Sequence, residues 1–139
     1  MLYSSEILAA AVGLAAFPFA AELPFQGEAR SRSCGSMLTL ALSLDEHGVI
    51  AQIGCRAHAC AVGQAAAHIF AVAAPGQSTD HIAAARAQLA DWLIGAGPVP
   101  DWPGIALLDA ARDYPARHGA ILLAWDAALA ALASPPQLR

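Results

Sequence analysis

The stretch MLTLALSL, residues 37 to 44, sets Leu38, Leu40, Leu42 and Leu44 against Met37, Thr39, Ala41 and Ser43 in strict alternation. A period of two belongs to a strand, whose successive side chains leave on opposite faces, so the segment predicts a half-buried β-strand. DEHG at 45 to 48 is turn chemistry and Val49 to Ala57 a second strand, so an antiparallel hairpin is expected. Alternation there puts Val49, Ala51, Ile53, Cys55 and Ala57 on one face, and Ile50, Gln52, Gly54, Arg56 and His58 on the other.

From Ala61 the pattern turns helical, and AVGQAAAHIFAVAA runs until Pro75-Gly76 stops it. Ser78 or Thr79 caps a second helix, DHIAAARAQLADWLI, in which Ile82, Leu89, Trp92 and Leu93 share a stripe. GAGPVPDWPG, residues 95 to 104, reads as the longest loop; a short helix, IALLDAARD, and a terminal helix from about His118 to Ala133 follow. Upstream, the apolar stretch from Ile7 reads as a buried helix capped by Ser4 or Ser5 and stopped by Pro18, and residues 22 to 36 as a loop or edge strand leading to Cys34. Helix, small antiparallel sheet, then helices predicts an α+β fold with the helices packed on one face of the sheet, in a single domain over residues 1 to 139.

Hydrophobic residues make up 58% of the chain and charged residues 13%, a balance that excludes disorder. The net charge is −4 and every cation is an arginine, so a basic stripe able to track phosphates is missing and nucleic-acid binding is not expected. The segment Ile7 to Ala21 ends in small residues as a signal peptide does. Yet Met1 to Glu6 holds an acid and no basic residue, and Pro18 breaks the run before it spans a bilayer, so a cytoplasmic protein without a membrane segment is expected.

Three cysteines, Cys34, Cys55 and Cys60, are an odd set that argues against a disulfide framework and for free thiols or a metal. Cys55 shares its strand face with small apolar residues and reads as a buried thiol, whereas His58 lies with Gln52 and Arg56 on a polar face. Cys60 stands where a strand ends and a helix begins, a position whose unpaired N–H groups favour thiolates. Cys34 is followed by Gly35, which lets the backbone turn tightly and a ligand approach. His118 stands at the start of the terminal helix, where its ring would meet the thiols if that helix starts near the sheet end. No G-x-S-x-G, Gly-rich phosphate loop or H-E-x-x-H occurs, and Asp109, Asp113 and Asp126 are scattered over helix surfaces, so the residues point to binding rather than catalysis.

Four segments in order resemble the U-type iron–sulfur cluster scaffold family, the NifU N-terminal domain, IscU and SufU. YSSEIL, residues 3 to 8, resembles the family's opening helix, and SCGSMLTLALSL its C-G-D-x-x-x-L strand. HACAVGQAAAHIF resembles its Y-G-C-x-x-x-x-A-S segment, and YPARHGAILLAWDAAL its P-x-R/K-x-x-C-x-x-L-A-W segment. The resemblance implies a scaffold on which three cysteines and an aspartate hold a nascent [2Fe-2S] cluster or a zinc ion, with sulfur from a cysteine desulfurase and clusters passed to acceptor proteins. By position, Cys34 and Cys60 match the first two cysteine ligands. Ser36 stands where the aspartate belongs, Ala120 where the third cysteine belongs, and Gly119 where some members carry a histidine.

Zinc and cluster sites ordinarily take four ligands, so these departures leave Cys34, Cys60 and His118 as the expected metal-binding set, completed by water, His58 or a partner, with Cys55 a further thiol in reserve. The expected function is a scaffold that binds iron, zinc or a cluster transiently. The alternatives are a docking module that has lost the metal, or a sulfur relay in which the Cys60 thiolate accepts persulfide sulfur.

Overall fold

The computed structural model describes residues 2–32 and 35–137. Ser4 opens the first helix, its hydroxyl accepting from the Ile7 N–H at 3.2 Å and so satisfying one of the donors a helix start leaves unpaired. This helix, α1 (Ser5–Gly13), tightens into a 3-10 turn through Ala16 and ends before Pro18.

Three strands follow, β1 (Phe25–Arg30), β2 (Met37–Leu44) and β3 (Ile50–His58), paired antiparallel in that order. β2 occupies the residues its alternation predicts, with Leu38, Leu40 and Leu42 buried. The Asp45 carboxylate closes the β2–β3 turn by accepting from the N–H groups of His47 at 2.8 Å and Val49 at 3.2 Å, and Gly48 takes the positive φ of 77° that the turn requires. Of the two readings of residues 22 to 36, β1 bears out the edge strand.

Simple alternation fails at one place in β3. Gln52 pairs with Ser43 but Ile50 pairs with Leu44, so Ala51 is an extra residue, a bulge, and the faces exchange there. Ile50 is consequently buried and Ala51 exposed, the reverse of their predicted sides.

Beyond β3 lie α2 (Ala61–Ala73), α3 (Thr79–Leu93), a run of 3-10 turns over Ile105–Asp113, and α4 (His118–Ala133). Ser78 caps α3, its hydroxyl accepting from the His81 N–H at 3.1 Å, and the predicted stripe of Ile82, Leu89, Trp92 and Leu93 is buried. The expected short helix over residues 105 to 113 winds instead as 3-10 turns, confined between Gly104 at φ 89° and Pro115.

α4 lies against β1 and β2, and α2 and α3 pack on α4, so the core forms between one face of the sheet and the helices. Phe70 of α2, Trp102 of the long loop and Trp125 of α4 form an aromatic trio with centroids 5.1 to 5.4 Å apart, Phe70 stacked on Trp102 and Trp125 edge-on to both. The Trp102 indole N–H donates to the Ile69 carbonyl at 3.1 Å, which ties the loop to α2.

The opposite face of the sheet is crossed by the chain itself. Cys55 N–H donates to the Phe17 carbonyl at 2.9 Å, so residues 17 and 18 pair along the outer edge of β3. Pro18 and Ala20 then lie over Gly54, and at the far strand the Gln26 amide donates to the Ala21 and Leu23 carbonyls. The crossing leaves two rows of that face open: Glu28, Thr39 and Arg56, then Arg30, Met37 and His58.

Helix and sheet approach most closely at Gly27, where a Cβ would collide with the Ala127 carbonyl oxygen and the Ala131 nitrogen of α4. Backbone atoms cannot swing aside. Gly27→Ala is therefore expected to lower the unfolding free energy by about 2–3 kcal/mol, measured by urea denaturation with the m-value unchanged.

Candidate functional site

The register Met37↔His58 brings the start of β2 and the end of β3 to one end of the sheet. Cys34 lies outside the described residues, but Gly35 and Ser36 lead directly into Met37 at that end, and Gly35 has a φ of 70°. Ser31 N–H donates to the Ser36 carbonyl at 2.8 Å and Gly35 N–H to the Ser31 carbonyl at 3.1 Å, closing the β1–β2 hairpin. The Ser36 side chain, at the position of the expected aspartate, is buried.

Two residues past β3, Cys60 is the N-cap of α2, with φ −65° and ψ 168°. Its thiol is free and half-buried and makes no capping hydrogen bond, so the sulfur is not committed to the helix it begins. Gln64 steadies the backbone here, its N–H donating to the Cys60 carbonyl and its side-chain amide to the Ala59 carbonyl, both at 2.9 Å.

Ala120 of α4 reaches the same place. A Cβ on Gly63, one turn into α2, would stand 3.0 Å from the Ala59 Cβ and 3.2 Å from the Ala120 Cβ. The position where a third cysteine was expected therefore faces the first turn of α2, one helical turn from Cys60, but it carries a methyl group.

His118 opens elsewhere. Two residues apart on a helix are about 200° apart around it, so His118 and Ala120 point to different sides of α4. The His118 Nε2 lies 3.0 Å from the Arg112 carbonyl oxygen, which only accepts, so Nε2 is the donor in this contact. Its ring lines a groove of about 540 Å³ with Leu93, Ile94, Asp109, Arg112 and Asp113. Arg112 is fixed there by the Trp92 carbonyl at 2.9 Å, by Asp109 at 3.0 Å and by the Trp92 ring 4.7 Å beneath its guanidinium.

Cys55 is buried in the core cluster, as its strand face predicts, and burial pushes its thiol up to about 11. His58 is exposed on the outer face beside Arg56, whose guanidinium lies 4.8 Å from the centre of the Phe19 ring. Among the described residues no three His, Cys, Asp or Glu side chains converge as a metal site. Composition gave no sign of the Ala59, Gly63 and Ala120 contact; only the spacing of the P-A-R segment marked residue 120.

Two measurements follow from the thiols. Cys60→Ser supplies a capping hydroxyl on the same backbone and is expected to stabilise the protein by about 0.5–1 kcal/mol in thermal melts, which separates its structural role from ligation. Because the folded Cys55 thiol ionises near 11 and the unfolded one near 9, its contribution to stability is complete below pH 9 and is lost as pH rises toward 11. Denaturation across that range is expected to show the decline, and Cys55→Ala to remove it.

No family model matches the chain, and no curated protein does. Solved structures do. The crystal structure of the N-terminal part of a nitrogen-fixing NifU-like protein from Brucella abortus superposes with a TM-score of 0.84 at 30% identity, over 95% of this chain and 92% of that one. A protein from the thermophile Fervidobacterium islandicum AW-1, assigned to the SUF system as an iron–sulfur cluster assembly scaffold, gives the same TM-score at 21% identity over 95% and 97%, and shares the fold. With its three-stranded antiparallel sheet and helices, the chain belongs to the NifU-like family of U-type scaffold proteins.

Proposed function

We propose that this protein is an iron–sulfur cluster assembly scaffold whose cargo, a nascent [2Fe-2S] cluster or a metal ion such as iron or zinc, is held transiently by Cys34 and Cys60. The observation that carries the reading is the uncommitted Cys60 thiol at the α2 start, at the sheet end where Gly35 and Ser36 enter β2. It is supported by what the neighbours are: a NifU-like protein of nitrogen fixation and a protein assigned as an iron–sulfur cluster assembly scaffold. A cysteine desulfurase is the proposed sulfur donor and a cluster acceptor protein the recipient, in the cytoplasm.

The donor set is short by the measure of a four-ligand site. Ala120 offers no donor and Ser36 offers a hydroxyl. Of the expected completions, His118 is held at the Arg112 carbonyl through Nε2, His58 is exposed on the outer face and Cys55 is buried in the core. A coordination position left to water or a partner suits cargo that has to leave.

Elemental analysis after chelator-free purification tests the proposal: zinc or iron is expected at near one equivalent and to be lost in Cys34→Ala and Cys60→Ala, and wild-type protein without metal would sink it. Anaerobic reconstitution with iron and sulfide is expected to give visible charge-transfer absorption. His118→Ala is expected to weaken retention if the imidazole ligates and to leave it unchanged if a partner completes the site. Ala120→Cys puts a thiol where the third cysteine was expected and, with melting curves checking that the close packing on Gly63 tolerates it, is expected to slow cluster loss to a chelator.

A further inference from the structure

The two open rows of the outer sheet face differ in charge from the rest of the molecule. Arg30 and Arg56 stand with one acid, Glu28, so these rows carry +1 while the remainder of a chain of net charge −4 carries −5. All three are exposed residues. Thr39 and Met37 occupy the middle strand between them, and His58 extends the second row.

The patch is held in shape from both sides. Glu28 accepts from the Arg30 guanidinium at 2.9 Å, and Phe19, brought over by the crossing segment, lies under the Arg56 guanidinium. An arginine stacked on a ring loses less freedom when it binds a carboxylate than one free in solvent. A half-buried methionine, Met37, with Arg30 across from it on β1 and Arg56 one row away on β3, is also the composition that recurs in protein interfaces.

We infer that these two rows dock an acidic segment of a partner protein. Charge complementarity sets the chemistry: the arginine fork pairs carboxylates bidentately, and acidic groups are repelled by the −5 of the remaining surface unless they arrive here. A nucleic acid is the poorer fit. Its phosphates continue past two arginines onto that negative surface, and the aromatic ring within the patch is covered by Arg56 rather than open for base stacking. The rows lie at the end of the sheet from which β3 leads to Cys60, so a partner seated here stands near that residue. The surface itself needs no bound metal.

The test uses the full chain, ¹⁵N-labelled and metal-free, titrated at low salt with a short Glu/Asp-rich peptide, its Gln/Asn counterpart and oligo(dT). Amide shifts from the acidic peptide are expected in residues 28–30, 37–39 and 56–58, with no response to the neutral peptide. Arg30→Glu, whose side chain is 71% exposed and outside the core, and Arg56→Gln are each expected to weaken binding about tenfold with melting curves showing the fold intact. Arg56→Lys keeps the charge but lacks the planar fork and its stacking on Phe19, and is expected to recover only part of the affinity lost in Arg56→Gln. Shifts elsewhere, unchanged affinity in Arg30→Glu, or oligo(dT) binding to the same rows as tightly as the peptide would each overturn the inference.

Discussion

Everything in this fold is referred to the approach of α4 to β1 at Gly27. The absence of one Cβ lets the backbone at Ala127 and Ala131 settle on the strand, and five of the eight buried residues of α4 are alanines, beside Ile121, Leu123 and Trp125. Small residues give short interlayer distances, and dispersion gains fall off steeply with a gap of even half an ångström. α2 and α3 are then placed by α4 rather than by the sheet, and through α2 so is the Cys60 cap. A helix set this low explains why a sequence of so few large side chains still closes a core.

Much of this was legible in the residues. The strict alternation of 37 to 44 defined β2 to its ends, and the Ser78 cap and Pro75-Gly76 stop bounded α2 and α3, because local chemistry decides those features. Ile50 and Ala51 were assigned to the wrong faces, since a bulge is set by pairing with Ser43 and Leu44, not by neighbours in sequence. The 3-10 winding of 105 to 113 escaped for a related reason: its apolar spacing suits either helix. At the site, Cys55 and Cys60 were separated correctly into core and helix start by period alone. The facing of Ala120 and Gly63 is long-range contact, which no local pattern carries.

The surroundings of Cys60 are those of a place kept small. Ala59, Gly63 and Ala120 meet with almost no side-chain bulk, and the thiol is left without a capping bond. Among the described residues, no three donor side chains converge at this end of the sheet as they do where a metal site rigidifies its own ligands.

The segment that pairs along β3 has a consequence for the behaviour of the protein in concentrated solution. An outer strand with unpaired donors is a template for another chain, and a sequence of mean hydropathy +0.50 has much to lose by offering one. Here the Cys55 N–H is taken by Phe17 and the next residue is Pro18, which has no N–H to extend the ladder. Strand growth from neighbour to neighbour is thus halted at this edge by the chain's own N-terminal segment, and the same residues that carry the polypeptide across the sheet keep one molecule from adding to the next.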